Sequence, residues 1–219
     1  MALFNLNSAN TTATTRLQPW TINEVEFKGV ELKTGTTKDG SEWKAMQFKF
    51  GGKNGIFEPM VFCPKPDGDK RPTGETGGKA WEMPSQMEQL MFTIAHVCGV
   101  LAPTNFEKLK KVSLNLPEEF EKLVDLVRKA LSSAVGKTTN IKLIGDSRGY
   151  ASIPNFININ RDTKEAYISN NWLGESLAFS AYELKKMEAA KNTKPTPIKS
   201  SEFDSTPEDS KEDDIDFDI

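Results

Sequence analysis

The chain has 219 residues, 37% of them apolar, with 28 basic and 31 acidic side chains and a formal net charge of −3. That length accommodates one substantial domain with a tail, or two small domains. Two cysteines, Cys63 and Cys98, exclude a disulfide framework and suggest a reducing compartment, and no apolar run nears the ~18 residues that read as a membrane span.

Residues 1–18 are rich in Asn, Thr and Ala and read as a flexible N-terminal arm. They lack the basic start and unbroken apolar stretch of a secretory signal, so a cytoplasmic protein is expected. From Trp20 the apolar period becomes two. Val25, Phe27, Val30 and Leu32 alternate with Glu26, Lys28, Glu31 and Lys33, and the one-residue slip at Gly29 predicts a β-bulge. Asp39-Gly40 predicts a hairpin turn. A second strand, residues 42–50, puts Lys44, Met46, Phe48 and Phe50 mostly toward the core and Trp43, Ala45, Gln47 and Lys49 on the other face. A third strand, residues 56–63, follows a glycine-rich turn and completes an antiparallel meander.

Residues 65–79 read as a flexible loop rich in Gly, Pro and charge. One helix is predicted over 84–101, where Met87, Leu90, Met91, Ile94, Ala95, Val97 and Cys98 make a broad apolar stripe. His96 and Cys98 read as packing residues, because three soft ligands, two of them on this helix, make no zinc site. A second helix starts at Leu116 or Pro117, carries Phe120, Leu123, Val124, Val127 and Leu131 on one face, and stops at Gly136. Strands return at 140–144 and 150–160, with an edge strand or loop at 167–173. An amphipathic helix over 180–191 closes the body.

Three strands, a helical connection and two further strands is the element order of an OB-fold, a five-stranded, partly open barrel. The expectation is a mainly β domain: an OB-fold-like five-stranded antiparallel barrel, its connecting helix expanded into a helical hairpin about 82–136, plus the C-terminal helix. The domain spans 19–191, and 192–219 form a linker and tail.

The tail is thin in apolar residues until its last eight, Glu-Asp-Asp-Ile-Asp-Phe-Asp-Ile at 212–219. From Ser200 onward nine acids stand against one lysine, net −8, whereas residues 1–199 hold 27 basic and 22 acidic residues, net +5. Such a segment cannot bury enough apolar surface to offset its ordering entropy, so disorder is expected. Acids interleaved with Ile215, Phe217 and Ile219 suit an extended peptide that docks on a basic, apolar groove. The run Asp213, Asp214, Ile215, Asp216, Phe217 resembles the acidic tip of bacterial and phage single-stranded DNA-binding proteins. It departs from that tip in having Asp216 where proline is usual, and Asp218 and Ile219 after the Phe. The resemblance implies sequence-independent binding of single-stranded DNA in replication, recombination and repair. It also implies replication or recombination proteins as partners, recruited through Asp213, Asp214, Ile215, Asp216, Phe217, Asp218 and Ile219. The expected location becomes the bacterial cytoplasm, or that of the host cell if the protein is phage-encoded.

No catalytic set is legible. Gly136-Lys137-Thr138 has the ending of a phosphate loop, but Leu131 stands where its first Gly belongs and a helix precedes it. One histidine and no Cys–His pairing leave no acid–base or nucleophile constellation, so neither enzyme activity nor a cofactor is expected. Single-strand binding needs flat side chains for bases and cations for phosphates. Trp43 is the foremost stacking candidate, on the face shared with Lys49. Tyr150 and Phe156 lie opposite Ile153, Ile157 and Ile159, with Lys142 and Arg148 nearby. Lys38 in the hairpin, and Lys70 and Arg71 in the 65–79 loop, are candidate clamps over the strand. Trp20, Trp81 and Trp172 read as structural plugs. Two alternatives stay open: a protein-interaction adaptor or inhibitor with Trp43 buried and no nucleic-acid affinity, and a strand-annealing or recombination-mediator protein. Oligomeric state, site size and DNA-versus-RNA preference are not readable.

Overall fold

The computed structural model describes residues 15–76, 79–146, 149–154, 157–160, 162–168 and 171–192. In chain order its strands begin with β1 (Thr21–Thr36), β2 (Glu42–Gly52), β3 (Gly55–Phe57), β4 (Met60–Phe62), β5 (Thr73–Thr76) and β6 (Lys79–Glu82). Helices α1 (Gln86–Leu101), α2 (Pro103–Leu109) and α3 (Phe120–Leu131) follow. Then come β7 (Thr138–Gly145), β8 (Ala151–Ser152), β9 (Ile157–Ile159), β10 (Ala166–Ile168), β11 (Leu173–Gly174) and α4 (Ala181–Asn192).

The protein is mainly β: a curled antiparallel half-barrel with a few helices, compatible with an OB-like fold. Its sheet runs β11-β7-β1-β2-β3, with β4 also on β2 and β8 also on β7. The long strand β1 serves both halves. Thr21–Glu26 pair with β7, and from Glu26 onward the strand pairs with β2. The register slips between Phe27 and Gly29, where the sequence pattern predicted a bulge, and Gly29 takes φ 131°, which suits a residue without Cβ. The extra residue adds twist, so the half of β1 that follows can curl away from β7.

The inner face is apolar by alternation, stepped by one residue at the bulge. Val25, Phe27 and Val30 of β1, Met46, Phe48 and Phe50 of β2, and Ile141 and Leu143 of β7 are buried. Helices α1 and α3 close over them with Leu90, Ile94, Val97 and Cys98, and with Phe120, Leu123, Val124, Val127 and Leu131. Ser85 caps α1 reciprocally: its hydroxyl accepts from the Glu88 N–H (3.1 Å) and its own N–H donates to the Glu88 carboxylate (2.9 Å).

Several expectations need correction. The third strand breaks around Pro59, yet β3 and β4 keep one register on β2, because proline lacks only a donor and Pro59 still accepts from the Phe48 N–H at 3.0 Å. The 65–79 loop is structured, ending in the β5–β6 hairpin. Helix α2 was not foreseen, and α3 starts at Phe120, three residues after Pro117, which sits in the preceding turn with a cis peptide bond. The strand expected over 150–160 is two pieces: β8 pairs with β7, while β9 pairs with β10 in a separate hairpin. Helix α4 is not amphipathic in its packing, since Glu183 is its buried residue among those described.

Candidate nucleic-acid interface

The meander's outer face follows from its register. On β1 the outward residues are Glu31, Lys33 and Gly35; opposite them on β2 stand Gln47, Ala45 and Trp43; and β4 adds Met60 beside Gln47 and Phe62 beside Ala45. One end of this face is ionic. Glu31 receives both Lys49 and Lys33, the latter at 3.0 Å, and the Lys49 hydrogen bond is the main reason its carboxyl titrates below the usual range. Gln47 donates to Glu58 at 3.2 Å.

The other end is aromatic. Trp43 lies across Gly35, where an added Cβ would come within 2.5 Å of the indole, so only glycine lets the ring rest on the strand. The Phe62 ring stands edge-on to it, centroids 5.6 Å apart at 69°. Phe62 is 54% and Met60 45% exposed, an unusual state for large apolar side chains on a strand. They border a cleft of about 920 Å³ whose lining includes Trp43, Lys44, Lys65 and Ile153, at the gap between β4 and β8. Lys44 reaches across to Glu121 of α3 at 2.7 Å.

The sequence candidates separate in space. Trp43 and Lys49 share the outer face, with Lys49 half-buried and engaged by Glu31. Lys38 is exposed at the tip of the β1–β2 turn, where the Thr37 N–H donates to the Ser41 carbonyl (2.8 Å). Lys70 is exposed, but its neighbour Arg71 is a structural anchor. Its guanidinium grips both oxygens of Glu88 (2.5 and 3.0 Å) and donates to the Lys164 carbonyl (2.7 Å), tying the β5–β6 arm to α1 and to the β9–β10 hairpin. The same contact holds the Glu88 carboxyl below its ordinary pKa.

Lys142 corrects the sequence reading most sharply. Its phase on β7 is outward, as expected, but residues 172–183 fold back over it. The ammonium is sealed in, paired with Glu183 at 3.2 Å with both side chains 1% exposed, and donates to the Ala178 carbonyl at 2.9 Å. It is therefore not presented to a phosphate. Tyr150 is 55% exposed beyond β7. Arg148, Phe156 and the segment from Asp213 to Ile219 lie outside the described residues.

Of the other tryptophans, Trp172 is a buried plug against Phe50 and His96, while Trp20 lies over Gly145 and Trp81 over Gly74, with Trp81 42% exposed rather than plugging the core. His96 accepts from the Leu173 N–H (3.2 Å), and burial lowers its pKa to about 4, so it is neutral at pH 7.

Sequence reasoning missed Phe62 and Met60. Their signal was available: within residues 56–63 they alternate with Val61 and Cys63, and register to β2 shows which set faces out. Among the described residues no group of three His, Cys, Asp or Glu is placed to hold a metal, and no helix is long and apolar enough to cross a membrane. Comparison with protein-family models, curated proteins and solved structures returns no match.

Proposed function

We propose that this is a non-enzymatic, sequence-independent single-stranded DNA-binding protein serving replication, recombination and repair, whose acidic segment recruits partner proteins. The observation that carries the reading is the pair of half-buried Trp43 and exposed Phe62 on the outer face of the meander, two flat rings on adjacent strands beside a cleft. Aromatic platforms of this kind stack bases at about 1–3 kcal/mol each and accept any base, because every base has a π-face. Lys38, Lys65 and Lys70 are the cations this reading assigns to phosphates. Lys33 and Lys49, both paired with Glu31, join them by exchanging it for a phosphate, while Arg71 and Lys142 keep structural roles. The net +5 of residues 1–199 favours a polyanion.

The test is intrinsic tryptophan fluorescence during titration with oligo-dT at low and high salt. The expected result is saturable quenching that weakens as salt rises, lost in Trp43→Ala. A flat titration at low salt, repeated on the chain without residues 200–219, overturns single-strand binding and leaves the adaptor reading.

A further inference from the structure

The β5–β6 arm has two unlike sides, and its register decides which residues share each one. Gly74 pairs with Trp81 and Thr73 with Glu82, and the Met83 N–H donates to the Pro72 carbonyl at 2.8 Å. Cross-strand partners share a face, so Arg71, Thr73, Glu75 and Glu82 lie on one side, and Pro72, Gly74, Trp81 and Met83 on the other. The first side is the arm's attachment, where Arg71 holds Glu88 of α1 and the Lys164 carbonyl, with Glu82 at 3.8 Å. The second side exposes apolar surface instead: Trp81 is 42% and Met83 48% exposed. A lone two-stranded hairpin has no core of its own in which to bury them.

That second side repeats the construction around Trp43. In each hairpin the tryptophan stands directly opposite a glycine, Gly35 for Trp43 and Gly74 for Trp81. A Cβ at either glycine would meet Cζ2 and Cε2 of the facing indole, so in both the ring lies across the partner strand. Each ring has an exposed apolar companion on its own face, Phe62 beside Trp43 and Met83 beside Trp81. The two constructions are also close. Gln86 lines the cleft with Trp43, and its side chain accepts from the Lys65 N–H at 2.9 Å. Met83 precedes Gln86 by three residues, a span of at most ~11 Å. Two exposed cations flank the root of the arm: Lys70 precedes Arg71, and Lys164 gives Arg71 its carbonyl.

We propose that Trp81 and Met83 form a second stacking platform, over which single-stranded DNA runs on from the Trp43–Phe62 platform, past Gln86 and along the arm. The inference rests on the single-strand reading above and extends it, because the bound DNA then covers more than the meander. Trp81 takes a base on the ring face turned away from Gly74, and the flexible Met83 thioether packs at the edge of that base. Lys70 and Lys164 meet its phosphates. An indole already laid on its partner strand loses little freedom when a base arrives, which preserves the affinity of the stack. Arg71 is a positioning residue, fixing the arm to α1 so that the second platform keeps its place beside the cleft.

Fluorine NMR on the full chain labelled with fluorotryptophan tests this, each of its four tryptophan lines being assigned by a Trp→Phe variant. On titration with oligo-dT at low salt the Trp43 and Trp81 lines are expected to move together to saturation. The line of Trp172, 4% exposed, is expected to stay in place. Trp81→Leu, which keeps apolar bulk without a planar ring, is expected to weaken oligo-dT by about 5- to 150-fold. Trp81→Phe, which keeps a flat ring, is expected to retain most of the affinity. A moving Trp43 line beside a fixed Trp81 line overturns the second platform and leaves the function proposed above intact. Two fixed lines overturn both. Trp81→Leu binding as tightly as the unaltered chain overturns the second platform alone. A Trp81 line that moves with protein concentration, without DNA, also overturns it and assigns the arm to a second copy.

Discussion

β2 and β7 both turn polar-phase residues away from the core, and the chain treats the two outer faces in opposite ways. Over β7 it returns: β11 pairs with it, the Asn140 side chain donates to the Glu175 carbonyl (3.3 Å), and Lys142 is enclosed with Glu183. Over β2 and β4 no described segment returns, and Trp43, Met60 and Phe62 border an open cleft. Strand phase decides which way a side chain points. Whether it meets solvent depends on what is laid over it later. The same comparison separates two lysines of identical phase: Lys142 is a buried structural charge, and Lys49 is a half-buried charge paired with Glu31.

The widest gap between the faces should appear when those lysines are removed. Lys142→Met leaves Glu183 buried without its counter-charge and is expected to cost about 3–5 kcal/mol in urea unfolding, whereas Lys142→Met with Glu183→Leu recovers most of it. Full stability in Lys142→Met would mean that the β7 face is not sealed.

The covered face also carries a pH dependence through His96, which holds Leu173 of β11. Its folded pKa, about 4, lies below the ordinary 6.5, so the unfolded chain takes up the proton first. Stability from neutral His96 is therefore complete above pH 6.5 and declines as pH falls from 6.5 to 4, on the order of 3 kcal/mol in all. His96→Gln, which keeps an acceptor, is expected to flatten unfolding free energy across that window. An unchanged slope would place the acid sensitivity of that window in another group.

On the open face the effects belong to binding. Trp43→Ala and Phe62→Ala are each expected to weaken oligo-dT by about 5- to 150-fold, the range of one stacked base. Gly35→Val, by lifting the indole off the strand, should approach the Trp43→Ala result in the same titration. The smallest effect belongs to Lys49→Met: less than ~1 kcal/mol in stability, because its ion pair is partly solvated, with a shallower salt dependence of binding as its readout.

Much of the fold was legible because it rests on local rules. The β1 bulge was visible at Gly29, the hairpin at Asp39-Gly40, and the core phase of β2 in Met46, Phe48 and Phe50. The apolar stripes of α1 and α3 were equally plain. Ser180 and Glu183 held a further local signal that went unread: Ser180 N–H donates to Glu183 (2.7 Å) and Glu183 N–H to the Ser180 hydroxyl (3.2 Å), a capping box starting α4. The aromatic site was half legible. Trp43 stood out of phase with its strand's core face, but Phe62 became visible only once β4 was in register with β2.

By itself, then, the sequence determined the alternation of β1 and β2, the position of their bulge and turn, and the helical stripes, because each depends on neighbours within a few residues. Tertiary structure decided the rest. It decided that Lys142 is sealed beneath residues 172–183, that Arg71 is spent on Glu88 and Lys164, and that residues 150–160 divide between two sheets. It also decided that Phe62 stands in the open beside Trp43. Each of these depends on which distant segment covers a face, and burial of that kind is set by packing across the chain rather than by the pattern along it.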